Sequence, residues 1–251
     1  MTTADITDTR GAEMFARYAY APNRLGYCGP QESSALLRGS RHRIEEAAKQ
    51  FSGAWPYLQV LSKMMGIADP LDHRIVESYW HGGGVGAQLD PDQFTAELLS
   101  VIGPQAGHYW SHLTADLADE AAPNHCFHVF GVYPWSRLLG KGMDDHPLAV
   151  LDNCRITWAT VLSTESVTAI VLCQRLSWDG TALSLPAPST RRVEVGILPH
   201  DGAPDVEAGD LVALHWGRVC SRLTPEQVAA LKDSTHDQLV ATNRRLGAST
   251  P

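Results

Sequence analysis

No stretch of the sequence approaches the roughly 18 consecutive apolar residues that cross a bilayer. Its start, Met1-Thr2-Thr3-Ala4-Asp5, has neither the basic beginning nor the apolar core of a secretory signal. The expectation is a cytoplasmic chain with no membrane partner. Cations are also scarce: Lys plus Arg number 20 against 28 Asp plus Glu, a formal charge of −8. Binding a phosphate backbone rests on clustered cations, so nucleic acid is not an expected partner. Cysteine lacks both number and pattern. The five present (Cys28, Cys126, Cys154, Cys173, Cys220) are odd in count and widely spaced, which excludes a disulfide framework and a C-x-x-C zinc motif and predicts reduced thiols. Charged residues reach only 19% against 44% hydrophobic, so disorder is not expected, and 251 residues suffice for one large domain or two modest ones. Histidine is what the sequence has in quantity, with eleven. It is the commonest metal ligand and the usual proton shuttle.

Hydrophobic periodicity divides the chain. Residues 1–12 are polar and aperiodic and read as a loose tail. From 13 to 140 the pattern is helical. Ile44, Ala47, Ala48, Phe51, Trp55 and Leu58 recur at steps of three and four, with Gly53 and Pro56 breaking the run in two. Asp90-Pro91-Asp92-Gln93 announces another helix, with Asp90 as cap and Pro91 at the first helical position. Gly140 to Pro147 is rich in turn residues, so 141–150 reads as a linker. Beyond it the period changes to two. Ile156–Leu162 and Val167–Leu172 are rich in β-branched residues and read as a hairpin, with further strands near 191–197 and 211–222. Thr224-Pro225-Glu226-Gln227 then opens a helix that runs to about Arg245. The fold class expected is α+β: an N-terminal α-helical domain, then a small OB-like β-barrel with a C-terminal helix over 151–251.

The segment Glu207-Ala208-Gly209-Asp210-Leu211-Val212-Ala213-Leu214-His215-Trp216-Gly217, continued by Val219 to Gln227, resembles the later half of the nickel–iron hydrogenase maturation chaperones of the HypC/HupF type. In that family a Gly-Asp turn precedes a strand ending in Val-His-x-Gly, and an acidic helix closes the chain. The resemblance covers roughly residues 154–240. It implies a protein that holds an iron centre transiently and passes it to a protein partner, a hydrogenase large subunit or maturation factor, with no turnover of its own. It places the family's iron-holding cysteine on Cys154, at the start of the first strand, and its strand-end histidine on His215. A thiolate suits low-spin iron, and a nearby imidazole can support it. The sequence departs from the family in two respects: the family's cysteine follows the initiator Met and precedes a short apolar Gly-Ile-Pro-like stretch, whereas Cys154 is internal, within Asp152-Asn153-Cys154-Arg155-Ile156-Thr157. Two further segments, Phe15–Tyr20 and His128–Trp135, extend the likeness: the whole chain is similar to an uncharacterised bacterial family of hydrogen-metabolising organisms.

Other readings compete. Counting by twos from Cys154 passes Ile156, Trp158, Thr160 and Leu162, a largely apolar face on which a cysteine would simply pack. The helical region carries a second cluster: His108 with His112, four apart, and His125 with His128, three apart, beside Cys126. If the two pairs meet, they can form the metal site of a metal-dependent enzyme. If not, these imidazoles are hydrogen-bonded members of an aromatic core that includes Phe127, Phe130, Tyr133 and Trp135. A structural binding module without metal is the third option, because one fold hosts many functions. Cys28 reads as a turn residue, His81 to Gly86 as a flexible connection, and Asp144-Asp145-His146 as linker polarity.

Overall fold

A computed structural model of the chain describes residues 8–103, 113–196 and 205–248. The first half is helical: α1 (Arg10–Arg24), α2 (Ser34–Arg38), α3 (Arg41–Ala48), α4 (Ala54–Met65), α5 (His73–His81), α6 (Pro91–Ile102) and α7 (His125–Phe127). Side chains fix several starts. Ser40, Asp72, Asp90 and Asn124 each accept a hydrogen bond from a backbone amide two or three residues on, satisfying donors that a helix leaves free. The expected break between α3 and α4 falls at residues 49–53. Pro56 lies in the first turn of α4, where a missing amide costs nothing. Around α1, whose Phe15, Tyr18 and Ala19 are wholly buried, the other helices pack with Tyr57, Tyr79 and Phe94 in one aromatic-rich core.

The second half is built of β1 (Thr157–Glu165), β2 (Thr168–Cys173), β3 (Ser177–Trp178), β4 (Leu183–Ser184), β5 (Ser189–Glu194), β6 (Leu211–His215) and β7 (Arg218–Arg222), closed by α9 (Pro225–Ala248). A further helix, α8 (Asp145–Cys154), precedes them. β1 pairs antiparallel with β2 and β6, β2 with β5, and β6 with β7, while β5 meets β7 in parallel. The five strands therefore close on themselves in the order β1-β2-β5-β7-β6. The architecture is mixed helix and sheet, of the α+β class, with a helix at the C-terminal end. No helix among the described residues is long and apolar enough to cross a membrane.

Three local expectations need correction. The segment 141–150 contains most of α8, because Gly140 and Gly142 supply the turn while Pro147 sits in the helix's first turn, where proline is tolerated. Cys154 accordingly ends a helix instead of starting a strand. On β1 the inward face is Thr157, Ala159 and Val161, so the face counted in twos from Cys154 is the outer one, and Leu162 lies exposed where a bulge shifts the register. The stretch 211–222 forms two strands, β6 and β7, joined at Trp216-Gly217 by left-handed residues (φ 51° and 73°) of the kind tight hairpins require. Asp144 is a structural residue, since its carboxylate accepts hydrogen bonds from the Gly140 amide and the Trp178 indole.

The two halves share one core. Ile156, Ala213, Cys220 and Leu223 from the second half pack in the same buried cluster as α1, α4 and α5. α9 is held from its first residue by reciprocal bonds: the Thr224 amide donates to the Gln227 side chain (2.8 Å), and the Gln227 amide donates to Thr224 Oγ1 (3.2 Å). Replacing Thr224 by Ala removes one of these, and we expect a loss of about 1 kcal/mol in urea-unfolding stability with the fold retained.

Candidate metal centre

Where the halves meet, three side chains converge from three elements. Cys154 is the last residue of α8, His215 the last of β6, and His125 the first of α7. Their ligand atoms, Cys154 Sγ and one ring nitrogen from each histidine, all lie within 4.8 Å of one another, and all three residues are buried. Zinc- or iron-like bond lengths of roughly 2.0–2.3 Å give tetrahedral ligand separations of roughly 3.3–3.8 Å, so closure by about 1 Å would complete a site. The arrangement could hold a metal ion.

Hydrogen bonds set each imidazole. Tyr18 in α1 would normally offer its carbonyl to the amide four residues on, but that residue is Pro22, which has none. His215 Nδ1 donates to this carbonyl at 2.7 Å. Because a carbonyl only accepts, the proton is on Nδ1, and His215 Nε2 is left buried with a lone pair and no partner. His125 Nε2 lies 2.9 Å from the carbonyl of Cys154, which is free because α8 ends there. It lies 3.9 Å from Cys154 Sγ. The same reasoning puts the His125 proton on Nε2, with Nδ1 accepting from the Tyr79 hydroxyl at 3.0 Å. To bind a metal through Nε2, His125 must move its proton to Nδ1, and the Tyr79 oxygen can accept it there. Tyr79 thus serves either tautomer.

The three groups line a cavity of about 260 Å³ whose wall is mostly rings, including Tyr79, Trp80, Tyr133, Trp135 and Trp216. Trp80 packs against both ligand imidazoles, with ring centroids 4.7 Å from His125 and 5.5 Å from His215. Burial drives every titratable group here toward neutrality. It lowers His215 to about 4 and His128 to about 3. His125 also falls well below its usual range through burial, reinforced by His215 and His128. The Cys154 thiol is pushed far up by burial, with the neighbouring Trp216 indole acting in the opposite sense. Cys28, on the loop after α1, lines the same cavity and is raised to about 12 by burial. The resting site is therefore neutral imidazole and neutral thiol.

A family model matches residues 7–249, nearly the whole chain. The chain belongs to DUF6390, a family of unknown function. No curated protein and no solved structure matches it. In this DUF6390 chain Cys154 and His215 stand together, and of the histidine cluster expected in the helical half His125 joins them. His128 lines the same cavity, with its ring centroid 5.9 Å from that of His125, but lies outside the three-residue cluster. Gly53 makes room for it, since an added Cβ would collide with the His128 ring. His108 and His112 lie outside the described residues. Tyr79, Trp80 and Pro22 are not singled out by the sequence pattern. Pro22 does carry a signal, being a proline inside a helical run beside the Tyr18 and Ala19 core positions.

Two outcomes follow from these protonation states. Metal binding must displace the Cys154 proton but none from the histidines, so Zn²⁺ affinity in competition titrations should rise about tenfold per pH unit between roughly pH 6.5 and 8.5. Cys154→Ser should flatten that slope. Stability should respond to acid: His81 and His215 sit at about 4 and His128 at about 3, against 6.5 for free imidazole. Their folded values are depressed, so below about pH 6.5 the unfolded chain binds more protons and stability is lost as pH falls toward about 4. The urea midpoint should be level from about pH 7 to 8 and drop below about 6.5. Its decline should be shallower in His215→Gln, which removes a contribution of about 3 kcal/mol.

Proposed function

We propose that this chain is a metal-binding accessory protein of hydrogenase maturation, which holds iron transiently through Cys154, His215 and His125. It gives that iron to a protein partner, a hydrogenase large subunit or another maturation factor. The observation that carries the reading is the meeting of the Cys154 thiol with the His215 imidazole inside one buried cluster. Those are the two residues on which the HypC/HupF resemblance places the family's cysteine and histidine. The strand order adds support. Numbered within the closed sheet alone, β1, β2, β5, β6 and β7 follow the 1-2-3-5-4 circuit of an OB-type barrel, with a helix after the last strand. The five described cysteines are all free thiols, which suits a cytoplasmic setting. An internal Cys154 differs from a terminal one in consequence: the helical half supplies a third ligand, His125, and walls the site from solvent.

A second reading, a metal-dependent enzyme, draws on the coordination count. Three protein ligands leave a position open toward the cavity, as in catalytic zinc sites.

Anaerobic iron loading of the purified chain tests both. About one iron per chain is expected, falling at least tenfold in Cys154→Ala and in His215→Ala while His128→Gln keeps it, as measured by metal analysis. Transfer of that iron to a hydrogenase large subunit, without turnover by the chain alone, supports the accessory role. Undiminished iron in Cys154→Ala would sink it, and turnover that tracks metal content would favour the enzyme.

A further inference from the structure

Tyr79 and Trp80 of α5 line the metal cavity, but Arg74, Glu77, Ser78 and His81, at steps of three and four, share another face of that helix. This face lines a second cavity of about 350 Å³, which has no lining residue in common with the first. Across it stands the start of α9, with Thr224, Glu226 and Gln227. Most polar groups of the wall satisfy one another. Ser78 Oγ donates to the Gly83 carbonyl at 2.7 Å and accepts from the Gly86 amide at 2.9 Å. Gln227 Nε2 donates to Glu77 Oε1, and Gln227 Oε1 accepts from the Thr224 amide at 2.8 Å. A hydrogen bond from the Thr224 side chain holds the Glu226 carboxyl below its ordinary range, so it is ionised near neutral pH.

One polar atom is left over. His81 is only 2% exposed, its Nε2 lies 2.5 Å from the Tyr18 hydroxyl, and its Nδ1 is buried without a partner. Native proteins seldom bury such an atom unpaired. The Tyr18 hydroxyl also lies 2.6 Å from Ser221 Oγ, so the chain can run with His81 Nε2 donating to Tyr18 and Tyr18 donating to Ser221. Nδ1 is then a lone pair awaiting a donor. Burial lowers His81 to about 4, so the ring is neutral and that lone pair is available near pH 7. The charges nearby decide which donor suits it. Among the described residues lining the cavity the one cation is Arg74, and both oxygens of the Asp72 carboxylate hold its guanidinium at 2.9 Å. Glu77 and Glu226 have no Lys or Arg paired with them among the described residues, and the nearest basic group to Glu77 Oε2 is the His73 imidazole at 3.6 Å.

We propose that this second cavity binds a primary ammonium group, which donates to His81 Nδ1 and pairs with the carboxylates of Glu77 and Glu226. The three N–H donors of one ammonium match these three acceptors in number. An anion would meet the same two carboxylates and be repelled. A metal ion is the poorer occupant, because among the described residues three ligand atoms come within metal-binding reach only at the Cys154 centre. The proposal stands apart from the metal-binding reading and survives without it.

The test titrates the full chain with n-butylammonium at pH 7, where such an amine is protonated because its pKa is about 10. Calorimetry measures binding, and nitrogen NMR follows the His81 ring. Saturable uptake of one amine per chain is expected, with a shift of the Nδ1 resonance and no uptake of butyrate, which has the opposite charge. Glu77→Gln and, independently, His81→Phe should each weaken the amine by roughly tenfold, with circular dichroism reporting the fold. Glu226→Gln lies on the surface, keeps the test open should those two unfold, and should weaken it by roughly threefold. Nα-acetyl-lysine amide separates the two sources of the group: binding as tight as that of butylammonium assigns the cavity to a partner's lysine, and binding of butylammonium alone assigns it to free amines. Absence of saturable amine binding overturns the proposal. So does saturable butyrate, or an amine affinity unchanged in every variant that folds.

Discussion

Pro22 has no amide hydrogen, and that missing donor sets the chemistry of the cavity. In an uninterrupted helix the carbonyl of Tyr18 would be spent on the residue one turn ahead; here it is open, and His215 takes it through Nδ1. One nitrogen is thereby fixed as donor and the other as a lone pair with nowhere to go. The same logic recurs at His125, whose Nε2 is occupied by the carbonyl that α8 leaves free as it ends at Cys154. Both imidazoles are thus oriented by main-chain acceptors that helix geometry failed to use. Backbone carbonyls are cheaper partners than carboxylates in an apolar wall, since they orient a ring without adding charge.

Neutrality is the second constraint. Three imidazoles and a thiol can be buried among tryptophans and tyrosines only in uncharged form, and burial depresses the histidines and raises the cysteine accordingly. The centre is therefore quiet toward protons near neutral pH and soft toward metals, a combination of thiolate and imidazole that suits iron or zinc better than magnesium or calcium. Tyr79 gives it one degree of freedom. Its hydroxyl can donate to His125 Nδ1 or accept from it, so that nitrogen stays paired in either tautomer, while a proton on Nδ1 frees the Nε2 lone pair for a metal ion.

Much of the scaffold is legible in the sequence because it is locally encoded. Asp90, Thr224 and Gln227 announce helix starts by hydrogen bonds that span three residues, and the β-branched runs of β1 and β2 signal their own hairpin. Parity on β1 misleads because Ile156 and Trp158 look like core residues. They do pack, but outward against the helices, and the closed sheet is filled from Ala159 and Val161 instead. α8 is hidden by glycines and acids that make its approach resemble a linker. Of the centre, Cys154 and His215 are legible through a family likeness. His125 is visible only as half of a histidine pair. Nothing at positions 125, 154 and 215 announces that they meet, since the contact is made by packing across separations of 29 and 61 residues rather than by any local pattern. His81 shows the converse: a histidine that reads as part of a loose glycine connection is buried, its Nε2 2.5 Å from the Tyr18 hydroxyl.

The shared core has a thermodynamic corollary. His125 comes from the helical region, Cys154 and His215 from the far side of the junction, and the carbonyl that aligns His215 from α1. Separating the two halves would scatter every member of the centre, so an ion bound there contributes its free energy to their docking by mass action. Occupancy and cohesion are one equilibrium viewed from two ends: whatever loosens the junction would also weaken the hold on an ion bound there.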